Sequence, residues 1–597
     1  MKTISRIVLL VLAVVTLATL LFGIGTIPLR DPYEAAYGEV AREMAQAGSY
    51  LSPRLFDQFL PGVPPLSYVL SAFCVRIFGA TEWAVRLPSA LLLAALTVLL
   101  YAAVTHTFNE RAGFWSGMVF ATSLLTSYFV KTSVTDSTLV FFVTAALLCF
   151  IRGHYWLLYV AAALSVLSDG PIALVFPAVI IGLYLLLSGK MYLLGRMHFF
   201  RGILLVLVLC APWAVFQFHV YGASFASAFL AFPDFGMPFL ATQAVVEPLW
   251  FYLPVLLGGI FPWTGLLVKS LKDTICESGT ADLENLLFFH LWWIFVFLFF
   301  TFTGTRVLAS LLLAFPPLAV LIGWNLDRMP REDRGHYGGW ALASLLAFAV
   351  AAFAWLYCFR GLPALSFVSL ILSAMTVLCG MGIGIALLGY RDAALGKWLH
   401  AAAGILTMIV VYSFFLPLLQ DTYSVRALAR QYAALSPQEE SASLYVEHDY
   451  RPGVSFYAQR PGQELNPKDA ATVRGLWRDK GPKYVILSRQ TYEQLKGTIG
   501  GEAWHLEGEK QGVCLFSYLP PVPIVAAPAE PREEANPAVG PTPGTASRNP
   551  NPAAPSASRT RPSAPEPTAV PAAPRTQPSA PGPSAAQPAP ARTPKQP

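Results

Sequence analysis

The stretch 30-RDPYEAAYGEVAREM-44 decides how this chain is read. It follows directly on a first long apolar run and packs Asp31, Glu34, Glu39, Arg42 and Glu43 into fifteen residues. After Pro32, the residues Tyr33, Tyr37, Val40, Ala41 and Met44 recur at helical spacing, with Glu39, Arg42 and Glu43 elsewhere on the wheel. That pattern predicts an amphipathic helix lying at a membrane interface just after the chain leaves the bilayer. A second short helix is predicted near 65–78.

The rest of the chain supplies the membrane. Of 597 residues, 55% are hydrophobic and only 13% charged, against about 25% charged in soluble domains. Apolar runs near twenty residues recur, and we count about thirteen spanning segments, the first over 7–29 and the last over 398–418. The basic start (Lys2, Arg6) and the length of the first run predict a retained anchor rather than a cleaved signal. With the N-terminus inside, the inner loops collect most Lys and Arg, and the short outer loops hold only Lys131, Arg306 and Arg360. An odd number of spans then puts everything after residue 420 outside. The net charge of +6 is modest and no basic block suggests nucleic acid. The seven cysteines are scattered, with no spacing that implies a metal site or a disulfide framework.

The predicted fold class is therefore mainly α: a polytopic membrane domain over 1–420, with a first extracytoplasmic loop over 30–87. A small extracytoplasmic α/β domain follows over 421–519, from helices at 423–435 and 489–497 and strands at 443–448 and 483–488. The Pro/Ala/Ser-rich stretch 520–597 has too few apolar residues to bury a core and is predicted to be a disordered tail.

Polar residues gather at a few outer turns: the 30–44 stretch, 131-KTSVTD-136, 168-SDGP-171 and 303-TGTR-306. On this topology all lie on one side and can ring an outward cavity. A partly buried carboxylate there suits general-base chemistry, and nearby cations suit a phosphate. Each also has a plainer reading. Acidic residues in a first helical turn complement the helix dipole, Asp136 can cap the fourth span, Lys131 and Arg306 can reach up to headgroups, and Arg86 can anchor the second span.

Here the chain resembles a known family. The run ending in 39-EVAREM-44, then 64-PPLSYV-69, 77-IFGATEWAVRLPSA-90, 134-VTDSTL-139, 169-DGPIALVFP-177, 250-WFYLPVLLGGIFPW-263 and 303-TGTR-306 occur in the order seen in GT-C class membrane glycosyltransferases. Its relatives there are the bacterial aminoarabinose transferases of lipid A and the protein O-mannosyltransferases. The resemblance implies an inverting transferase of the bacterial inner membrane. Its donor would be a polyprenyl-phosphate-linked sugar, and its acceptor an envelope lipid such as lipid A, a glycan or a protein. No further cofactor is implied beyond a possible divalent cation.

The chemistry-bearing positions of that family are altered here. Its adjacent Asp-Glu pair is Tyr33 and Glu34, its following Arg is Ala36, and Tyr37 is kept. The loop lysine expected to touch phosphate is Val63, the Lys before Gly-Pro is Asp169, and a later Lys is Arg306. The expected roles are therefore Glu34 or Asp31 as the catalytic base, with Tyr37, Arg86, Lys131, Asp136 and Arg306 binding substrate. The alternative is a non-catalytic relative that binds polyprenyl lipid or assists a partner. A transporter is disfavoured because the polar residues sit at one face rather than at mid-bilayer.

Overall fold

The structure, a computed structural model, describes residues 2–131, 135–230, 248–276, 282–302, 308–329, 337–361, 363–435, 442–469, 473, 476, 482–499 and 504–518. The tail predicted over 520–597, the stretch 231–247 and the turn holding Arg306 lie outside these residues.

The described chain is mainly helical. Helix α1 (Lys2–Leu21) ends eight residues short of the end of the predicted first span. A turn-rich segment then leads to α2 (Tyr33–Ala47), the hairpin β1 (Arg54–Leu55) and β2 (Gln58–Phe59), and α3 (Leu66–Phe78). Next come α4 (Glu82–Thr107), α5 (Glu110–Thr122), α6 (Leu124–Val130), α7 (Thr135–Ile151), α8 (Tyr155–Asp169) and α9 (Val175–Leu187). Seven described helices are long and apolar enough to cross a membrane. An eighth span is added if Leu249–Gly259 and Thr264–Cys276, bent by 104°, are one. Five apolar helices are shorter. The protein is a multi-pass membrane protein, and one core of Leu, Phe, Trp and Ala side chains runs from α1 through the bundle.

Two predicted spans are interrupted. The segment predicted over 112–130 breaks at Ser123, whose backbone is extended. The segment predicted over 249–268 breaks before Pro262, which has no N–H for the helical ladder. The two breaks face each other: the Leu124 N–H donates to the Phe261 carbonyl at 3.1 Å, and the Trp263 indole N–H donates to Thr122 Oγ1 at 2.9 Å. Backbone groups freed inside a membrane bundle need such partners.

After the last long helix, Arg426–Leu435 precedes a five-stranded sheet of order β4-β3-β5-β7-β6. Its strands are β3 (Ser443–Glu447), β4 (Gln463–Leu465), β5 (Lys483–Ser488), β6 (His505–Lys510) and β7 (Val513–Tyr518). β3 pairs parallel with β4 and β5, while β7 runs antiparallel to β5 and β6. The helix Arg451–Ala458 packs on α2, and its Phe456 enters the apolar cluster formed by α2 and α3.

This contact changes the character of α2. An interfacial helix is expected to show water its charged face, yet Glu34, Glu39 and Arg42 are all buried. Arg42 holds Glu39 through two hydrogen bonds of 2.6 and 2.7 Å, and Glu43 accepts the Phe56 N–H at 2.7 Å, tying the β1–β2 hairpin to α2. Burial pushes the Glu39 and Glu43 carboxyls above the usual range. The charged half of EVAREM is thus structural. At Gly38 an added Cβ would lie 2.8 Å from Leu29 Cδ1 and 3.3 Å from the Phe456 ring, so this close approach admits only glycine without a shift.

Candidate active site

The predicted site residues divide into three groups. The first joins α2, α4 and the end of α1. Arg86 is fully buried, and its Nε donates to Glu34 Oε1 at 2.6 Å. Its other nitrogens donate to the carbonyls of Ile24, Ile27 and Pro28 at 2.6–3.0 Å. Glu34 Oε2 accepts the Arg30 N–H at 3.1 Å. Both oxygens of Glu34 and the whole Arg86 fork are therefore committed to holding the chain where it leaves α1. Lys131 is also fully buried. Its ammonium donates to the Thr19 and Leu20 carbonyls at 3.2 and 3.4 Å and sits 3.8 Å from the centre of the Tyr412 ring.

Asp31 faces another way. Its backbone N–H donates to the Tyr423 carbonyl at 3.0 Å, and its Oδ2 accepts the Val425 N–H at 2.9 Å. Its Oδ1 lies against Gly453, where any Cβ would come within 2.1 Å. The carboxyl is buried, and burial pushes its pKa well above the usual carboxylate range despite the backbone donors. Tyr457 Oη accepts the Leu29 N–H at 2.8 Å, and Arg426 pairs with Glu82 at 3.3 Å, so the same seam continues on both sides. The Asp31 side chain thus ties the first loop to the chain that leads into the helix Arg426–Leu435.

The third group is the one the fold brings together around open chemistry. Tyr37 lies one turn beyond Glu34 on α2, and its ring centroid is 5.6 Å from that of Tyr68 on α3. Asp136, in the first turn of α7, and Asp169, closing α8, both act electrostatically on Tyr68. They also repel each other: burial first, then the Asp136 charge, push the Asp169 carboxyl up to about 7. Asp169 stands one residue past the predicted span 155–168. Ser67 Oγ reaches the Ser168 carbonyl at 3.5 Å and joins the same two elements. Gly170, at φ +87°, turns the chain sharply after Asp169, a conformation that suits glycine.

Four elements thus converge on two tyrosines and two carboxylates. Tyr37 and Asp136 were among the predicted residues; Tyr68 and Asp169 were not. Both carried a signal, since Tyr68 lies in PPLSYV and Asp169 replaces an expected lysine. Arg306 falls outside the described residues. Among the described residues, no group of three or more His, Cys, Asp or Glu is placed to hold a metal ion.

Comparison with known proteins agrees with this architecture. Residues 62–216 match the family described as dolichyl-phosphate-mannose-protein mannosyltransferase. The undecaprenyl phosphate-alpha-4-amino-4-deoxy-L-arabinose arabinosyl transferase of Aeromonas hydrophila is 30% identical over 349 residues, 55% of this chain and 62% of that protein. The enzyme of the same name from Pectobacterium carotovorum is 29% identical over 347 residues, 54% and 61% of the two chains. The chain thus spans about three fifths of the length of these curated relatives. In fold it is similar to ArnT from Cupriavidus metallidurans in the apo state (TM-score 0.73, 20% identity, 85% of this chain and 97% of that one). The same holds for ArnT bound to undecaprenyl phosphate (TM-score 0.72, 18% identity, 87% and 99%). By motif order, a family match over 62–216 and overall fold, this chain is similar to the aminoarabinose transferases and the protein mannosyltransferases.

Proposed function

We propose that the protein is an inverting membrane glycosyltransferase that moves a sugar from a polyprenyl-phosphate donor to an extracytoplasmic acceptor in the bacterial inner membrane. The acceptor is an envelope lipid of the lipid A type, a glycan or a protein. In this topology thirteen spans place the N-terminus in the cytoplasm and the first loop, the α/β domain over 421–519 and the tail on the outer side. The observation that carries the reading is the convergence of Tyr37, Tyr68, Asp136 and Asp169, in a chain whose relatives carry such a transferase name.

The chemistry is a single displacement. The acceptor hydroxyl or amine gives its proton to a carboxylate and attacks the anomeric carbon. The bond from that carbon to the phosphate oxygen breaks, and the polyprenyl phosphate leaves with the electron pair, inverting the configuration. A carboxyl held near 7 suits the base, so we assign that role to the Asp136–Asp169 pair ahead of Glu34, both of whose oxygens accept protein hydrogen bonds, and ahead of Asp31, whose Oδ2 accepts the Val425 N–H. Tyr37 and Tyr68 line the sugar position. Of the predicted phosphate-binding cations, Arg86 and Lys131 are held by protein acceptors, which leaves that role to Arg306.

The test uses purified protein in nanodiscs with labelled polyprenyl-phosphate sugars, with and without a chelator. The Asp136→Asn and Asp169→Asn variants are expected to lose roughly 100-fold or more in kcat with unchanged melting. Full transfer by both would sink the assignment. Donor binding without any transfer would favour the non-catalytic reading.

A further inference from the structure

A second candidate site lies toward the start of α1, at the other end of that helix from the carbonyls that hold Arg86. It is a groove of about 720 Å³ between α1, the start of α5, the end of the helix Phe315–Arg328 and the helix Ala393–Val410. One wall is apolar and open: Ile7 and Val11 of α1 are 56% and 43% exposed. The floor is aromatic. Trp398 is half exposed, and its ring centroid lies 5.3 Å from that of buried Trp115 and 5.8 Å from that of Phe114.

The rim carries charge of both signs. Glu110 Oε1 is buried and has no hydrogen-bond partner among the described residues. Asp327 Oδ2 accepts from the Asn109 amide at 2.7 Å. Of the neighbouring cations, Arg328 pairs with Asp282 at 2.7 Å, and the buried Lys397 ammonium donates to the Leu326 carbonyl. Arg111 is exposed on the same rim, with no ion pair among the described residues.

The geometry points to a binding site for an amine-bearing zwitterionic phospholipid in the leaflet facing away from the candidate active site. Its phosphate pairs with Arg111. Its primary ammonium donates to Glu110 and Asp327 and lies over the Trp398 indole face, where a cation is attracted by the ring quadrupole. Its acyl chains follow the exposed side chains of Ile7 and Val11. An anionic headgroup would meet two carboxylates for one guanidinium. A quaternary ammonium has no N–H to satisfy Glu110.

Native mass spectrometry of the full chain released from mixed micelles tests this, using phosphatidylethanolamine, phosphatidylcholine and phosphatidylglycerol as competing probes. Phosphatidylethanolamine is expected to be retained preferentially, and Glu110→Gln and Arg111→Gln are each expected to weaken its retention about tenfold, the size of one lost charge-assisted hydrogen bond. Retention of either other lipid as strong as that of phosphatidylethanolamine overturns the proposal. So does retention unchanged in either variant. If Glu110→Gln fails to fold, Trp398→Leu takes its place beside Arg111→Gln, with the same criterion. The readout is independent of sugar transfer, so its failure is distinguishable from failure of the proposed activity.

Discussion

Replacing Glu34 by Gln separates a structural from a catalytic role for the residue that the sequence alone favours as base. Glu34 and Arg86 are 3% and 0% exposed, so the pair is buried. The substitution keeps the shape but removes the charge, leaving the Arg86 guanidinium among three carbonyl dipoles only. Breaking a buried pair by removing one partner costs about 3–5 kcal/mol, because the other charge is left uncompensated. For a chain of this size, at about 2.1 cal/mol/K of unfolding entropy per residue, the melting temperature should fall by about 2–4 °C. Adding Arg86→Met, which removes the stranded charge, should restore much of the loss, and the double-mutant cycle should give a coupling of about 2 kcal/mol or more. Intrinsic fluorescence melting in detergent reads the effect directly, with transfer measured on the same samples. A Glu34→Gln protein that melts within about 1 °C of the parent yet transfers no sugar would refute the reasoning and return Glu34 to the catalytic role.

Further outcomes follow from the same geometry. If the Asp136–Asp169 pair supplies the base, kcat/KM should be lost as pH falls through about 7, and Asp136→Asn, by removing the like charge, should move that limb to lower pH in whatever activity it retains. Asp31 has a carboxyl pKa raised by burial, so the folded state favours its protonated form. The stability it contributes is present at low pH and lost as pH rises through the folded-state pKa. Limited proteolysis should therefore cleave between the last long helix and the five-stranded sheet more readily at alkaline pH in the parent, with a flatter dependence in Asp31→Asn. Gly38→Val should push against Leu29 and Phe456 and cost about 1–3 kcal/mol, read as faster hydrogen exchange in α2 and in Arg451–Ala458. Glu43→Gln, which weakens acceptance of the Phe56 and Asp57 N–H groups, should loosen the β1–β2 hairpin with little change in transfer, checked by exchange and activity together.

Much of the site region was legible because its signals are local. Pro32 before a helical stripe and Gly48 after it mark α2 to within a residue or two, and the structure finds Tyr33–Ala47 with Gly48 left-handed at φ 64°. The apolar runs at 443–448 and 483–488 correspond to β3 and β5. β4, at three residues, and the weakly apolar β6 carry too little pattern to be seen. The breaks at Ser123 and before Pro262 were also hidden, since each is stabilised by hydrogen bonds to the other, 137 or more residues away along the chain (261 − 124).

Composition and the period of the apolar residues determined by themselves that this is a multi-pass helical membrane protein with a charged helix after its first span, and the order of short motifs gave the resemblance to GT-C transferases. They act over a few residues at a time, so one chain suffices to read them. Which charges meet was decided only by tertiary structure. Arg86 finds Glu34 across 52 positions and Val425 finds Asp31 across 394, and no local pattern specifies such partners. A buried carboxylate must take whichever donors the packing brings. Packing brought protein donors to Glu34 and Asp31, and brought Asp136 and Asp169 within electrostatic reach of each other.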